Sequence, residues 1–165
     1  MLFIVRWPVV LVLFALTLFC FLGAAAAAGA LTGFSTGVAQ VEEAQAAAVE
    51  AGAAQASWIE VGLLAGAGLF FMISAIRLIR RTQGFWTWLL GFALFGGRWA
   101  LAQRGELAAT VQGLNVSAFL QPQAVIADPA SPEAQVALLG IILVVGLLIF
   151  ILDAADRAHW DKQGA

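Results

Sequence analysis

No charged residue lies between Arg6 and Glu42, and none lies between Glu133 and Asp153. Apolar stretches of this length constrain the chain more than any other feature. In hydrocarbon every backbone N–H and C=O must find its partner within the protein, so a single spanning segment is a helix. About 20 mostly apolar residues carry such a helix across the roughly 30 Å bilayer core. Four blocks fit or nearly fit that length, at residues 7–31, 58–79, 85–102 and 132–152. Composition agrees. The chain is 62% hydrophobic and 11% charged, where soluble domains average about 45–50% and about 25%. There is too little charge to cover a water-soluble monomer.

The fold class expected is therefore an all-α integral membrane protein of four transmembrane helices. Residues 1–165 form one membrane domain, with outer segments at 32–57 and 103–131 and a cytoplasmic tail at 153–165. The third block is the shortest. Its uncharged stretch, 82–97, covers about 24 Å at 1.5 Å per residue, and either Arg98 snorkels to the headgroups to extend it into a span or the block is a re-entrant or interfacial segment. The first block also has the layout of a secretory signal peptide: Arg6, an apolar run, then small residues at Ala26, Ala28 and Ala30. If it were cleaved, three spans would remain.

All six tryptophans stand at block ends: Trp7, Trp58, Trp86, Trp88, Trp99 and Trp160. An indole is apolar with one N–H, which suits the headgroup level. Basic residues set the orientation. With the Arg80–Arg81 connection inside, Arg6, Arg77, Arg80, Arg81, Arg157 and Lys162 are cytoplasmic and only Arg98 and Arg104 are outside. Both termini then face the cytoplasm. Seven arginines to one lysine in an alanine-rich chain suit a bacterial source, hence the inner (plasma) membrane. Residues 32–57, rich in Ala, Gln and Glu, read as a helical outer extension of the first span, with Glu43 and Glu50 on its wet face. Residues 104–131 are broken by Gly105, Gly113, Pro122 and Pro129. Ser131, Pro132 and Glu133 make a good start for the fourth helix.

Gly29, Gly33 and Gly37 form a row spaced by four, and Gly62 and Gly66 repeat it in the second span. Such rows let helix backbones approach closely, within the chain or between subunits. Glu60 and Arg98 are expected to pair at the outer surface, because the short second-to-third connection makes an antiparallel hairpin and sets them at one depth. At the inner ends Arg77 and Asp153 could pair, and Asp153, Arg157 and Asp161 are spaced for i,i+4 support.

Chemistry is sparse. One cysteine, Cys20, and one histidine, His159, supply neither a disulfide nor a paired metal or haem site, and His159 reads as a surface residue. Neither H-E-x-x-H nor the phosphate loop G-x-x-x-x-G-K-[ST] occurs. Ser35, Ser57, Ser117 and Ser131 lie across the membrane from His159 in this topology. No catalytic, cofactor or metal residues are assigned. A net charge of -2 and a pI near 5.2 give no basic stripe for nucleic acid. The expected partners are the lipid bilayer and other membrane subunits, or further copies of this chain. The function expected is a non-enzymatic accessory or scaffold subunit; the alternative is a small oligomeric channel or transporter component.

Overall fold

The computed structural model describes residues 2–33, 37, 39, 42, 43, 46, 58–102 and 132–163. They are all-helical: α1 (Leu2–Thr32), α2 (Trp58–Ile79), α3 (Phe85–Ala102) and α4 (Pro132–Gln163). Three stretches are long and apolar enough to cross a membrane: Val5–Thr32, Trp58–Ile79 and Val136–Ala158. The chain is an all-α, multi-pass membrane protein. α3 has 18 residues, about 27 Å, which is short of the roughly 30 Å core.

Each helix runs antiparallel to the next. Gly23 of α1 faces Leu64 of α2, and Gly68 of α2 faces Cys20 of α1. Gly91 of α3 meets Phe71 and the Ala67 carbonyl of α2. Phe85 of α3 meets Phe150 of α4 edge to face, and Arg6 of α1 reaches Asp156 of α4. The ring of helices closes as an up-down-up-down bundle. Its core is filled by Leu13, Cys20, Ala67, Phe71, Ala75, Ile142 and Ile149. Leu11, Leu18, Ile59, Leu143, Val144 and Leu147 point outward, as lipid-facing side chains do. Both faces are apolar; the inward face is distinguished by its small residues, which admit the neighbouring backbone.

The helix ends explain the turns. Gly33 has φ +67 and donates its N–H to the Gly29 carbonyl at 2.8 Å, a left-handed C-terminal cap. α1 ends at Thr32, and beyond this cap Ala39, Glu42, Glu43 and Ala46 are helical. α2 ends in a Schellman motif. The Thr82 N–H bonds the Arg77 carbonyl at 2.9 Å and the Arg81 N–H bonds Leu78 at 3.2 Å. The left-handed position is held by Arg81, with φ 55. Residues 104–131, Glu50 and Asp161 lie outside what the structure describes at side-chain level, as do His159 and Trp160.

Candidate functional site

Polar side chains gather at the two ends of the bundle. At the end formed by the start of α1, the α2–α3 turn and the close of α4, Arg6 is 7% exposed. Its Nη2 donates to both carboxylate oxygens of Asp156, at 2.8 and 2.7 Å, and its Nη1 to the Leu78 carbonyl at 3.3 Å. One guanidinium thus ties α1 to α2 and α4. A charge in this setting is tolerated because it is paired and hydrogen-bonded. Sequence reasoning misses Asp156. A signal for it exists: it is the acid nearest the depth of Arg6 when the first and last helices are laid antiparallel.

Asp153 does not pair with Arg77. Its Oδ2 accepts the Gly84 and Phe85 N–H groups, each at 2.9 Å. Those are orphan donors at the start of α3, and a carboxylate there also complements the helix dipole. A residue of α4 therefore caps α3. Arg77 instead donates from Nη1 to the Gln83 carbonyl at 3.2 Å, across its own turn. Ser74 Oγ donates to the Gly84 carbonyl at 3.0 Å, which holds the turn down onto α2. Arg157 donates from Nε to the Asp153 backbone carbonyl at 3.3 Å.

At the opposite end Arg98 donates from Nε to Glu60 Oε1 at 2.8 Å, and its Nη2 lies 2.6 Å from the same oxygen. The structure thus brings together Glu60 and Arg98, the two charges placed at one depth by the hairpin. With Ser74 on Gly84 at one end and Glu60 on Arg98 at the other, α3 accompanies α2 over about 21 Å of its length.

The glycines are used differently from the expected row. Gly33 and Gly37 both have positive φ, and a Cβ at either would meet nothing within 4 Å. Neither belongs to a packed seam among the described residues; Gly33 ends its helix. Gly29 is buried. Gly62 faces open space, whereas a Cβ at Gly66 would come 3.0 Å from Leu94. The tight approaches occur at Gly66, as the sequence pattern suggests, and at Gly68, Gly91 and Gly146. A Cβ at Gly91 would lie 2.9 Å from the Phe71 ring, and one at Gly146 would overlap the Trp88 indole. Trp88 corrects the headgroup reading. It is 4% exposed and packs face to face with Phe85 and Phe92. Its Nε1, like that of Trp99, is buried with no hydrogen-bond partner. Trp7, Trp58 and Trp86 are exposed at helix ends.

Residues 33–37 read G-F-S-T-G, the spacing of a nucleophile elbow. That motif needs a strand-to-helix turn, and here Gly33 closes a helix. Helix α1 separates Gly33 from Arg6 by about 40 Å. Among the described residues no group of three or more His, Cys, Asp and Glu side chains could hold a metal ion.

The fold and its polar clasps define the class, a multi-pass helical membrane protein. Comparison with known proteins gives no match to a family model, a curated protein or a solved structure.

Proposed function

We propose that the protein is a small non-enzymatic accessory or scaffold subunit of a larger complex in a bacterial inner membrane. In this reading all four helices cross, and both termini and the Arg80–Arg81 turn are cytoplasmic. One observation carries the proposal. The buried polar side chains among the described residues are Arg6, Thr17, Ser74 and Asp153, and each makes at least one hydrogen bond within the bundle, the N–H groups left over being Arg6 Nε and the Trp88 and Trp99 indoles. Arg6 and Asp153 join helices to one another, Ser74 holds the turn, and Thr17 Oγ1 bonds the Leu13 carbonyl of its own helix at 2.8 Å. A conduction path or a reaction centre needs polar groups free to meet an ion or a substrate. A bundle whose buried carboxylate, hydroxyls and guanidinium bond its own helices suits a structural part.

The test is affinity isolation in mild detergent from cells expressing the tagged full chain, with mass spectrometry and an absorption spectrum. Stable co-purification of other membrane subunits is expected. Recovery of self-oligomers alone would replace this reading with the channel, and a visible absorption band with a cofactor carrier.

A further inference from the structure

The last turn of α2 and the α2–α3 turn carry three guanidiniums with no carboxylate partner among the described residues. Arg77, Arg80 and Arg81 are all exposed. The carboxylates described at this end are occupied, Asp156 by Arg6 and Asp153 by the Gly84 and Phe85 N–H groups. Arg77 is held over the turn by its bond to Gln83. Two exposed indoles mark the depth. Trp86 is 64% exposed, two residues past Gly84. Trp7 is also exposed and adjoins Arg6, which reaches the Leu78 carbonyl. Exposed tryptophan at a helix end sits at the headgroup level, so the guanidiniums stand at the plane of the phosphates.

The backbone adds a second observation. Arg81 occupies the left-handed position of the α2 cap, with φ 55. Glycine takes that conformation without steric cost, and arginine does not. A cation in the last turn complements the helix dipole, but Arg77 already does that. Strain retained at such a position points to a use for the side chain.

We propose that Arg77, Arg80 and Arg81 form a site for the phosphodiester headgroup of an anionic phospholipid. Guanidinium forks match phosphate oxygens two at a time, and basic clusters at helix ends recognise anionic lipid in this way. The site stands independently of the scaffold reading.

The test is thermal unfolding of the full chain in neutral detergent with added phosphatidylglycerol, phosphatidylcholine or inorganic phosphate. Phosphatidylglycerol alone should raise the melting temperature, and the Arg80→Gln/Arg81→Gln double variant should lose that rise. Arg81→Gly keeps the readout independent of misfolding. It should melt at or above the native temperature in detergent alone, because the strained position is relieved, yet respond less to phosphatidylglycerol. Equal rises with both lipids, or a phosphatidylglycerol rise that survives in the double variant, would overturn the site. A rise reproduced by inorganic phosphate would overturn the lipid assignment in favour of a free-anion site.

Discussion

The fit between Trp88 and Gly146 shows how much one missing methyl group can matter. The indole lies against the α4 backbone, where a Cβ would overlap it. Gly146→Ala should therefore destabilise the bundle by about 1–3 kcal/mol, as overpacked cores do. Gly62→Ala offers the contrast. Gly62 lies within α2, and a methyl group there would meet nothing within 4 Å. The substitution should be neutral or stabilise by up to about 1 kcal/mol through the lost glycine entropy. Unfolding in detergent, followed by circular dichroism, separates the two; equal effects would mean that Trp88 does not pack on Gly146. Gly33→Leu would act differently from either, by straining a left-handed backbone and not by separating packed helices.

At the level of elements, the bundle is a set of antiparallel pairs fastened near their ends. α2 and α3 are joined by Ser74 and Gly84 at one end and by Glu60 and Arg98 at the other. The Arg98 and Glu60 side chains are 37% and 28% exposed, so water screens the pair and its coupling should be modest, up to about 1 kcal/mol. A double-mutant cycle with Glu60→Gln, Arg98→Gln and the double variant reads this as a departure from additivity in unfolding free energy. Strictly additive losses would leave Arg98 as a snorkelling anchor without a coupled partner. α4 is fastened by different means. Asp153 and Asp156 hold its C-terminal half to the α2–α3 turn and to α1, while Ile142, Val145 and Ile149 supply its buried stripe.

For the whole molecule, the proposed orientation rests on six of eight basic residues falling on one side. Impermeant thiol reagents applied from the periplasm should label cysteines placed at Gln45 and Gln123 but not at Gln83. The native Cys20 is buried, which keeps the background low. A labelled position 83, which is exposed in the turn, would reverse the orientation. The packing also bears on the signal-peptide alternative, because α1 is built into the core: Val9, Val10, Leu13, Leu16, Cys20 and Ala24 are buried, and Arg6 clasps α4. A bundle without α1 would expose these contacts on α2 and leave Asp156 without its cation.

Which segments are helical and membrane-compatible was legible in the residues alone, because the cost of placing a segment in hydrocarbon adds up residue by residue along the chain. The same one-dimensional reasoning put Glu60 and Arg98 at one level, since a short connection aligns two helices in depth. Rotation about each helix axis was not legible. In water an apolar stripe marks the buried face, but lipid is as apolar as the core, so Leu11 and Leu13 look alike in sequence while one faces outward and the other is fully buried. Gly66 was legible as a packing position, but only the packed structure decided that the other close approaches fall at Gly68, Gly91 and Gly146 and not along the row through Gly33. Only it turned Trp88 inward while leaving Trp86 outside. The partners of the charges at the Arg6 end were settled in the same way. Asp153 had a free helix N-terminus within reach as well as an arginine, and the two backbone N–H groups, fixed in place by the turn, hold the carboxylate where the long Arg77 side chain does not.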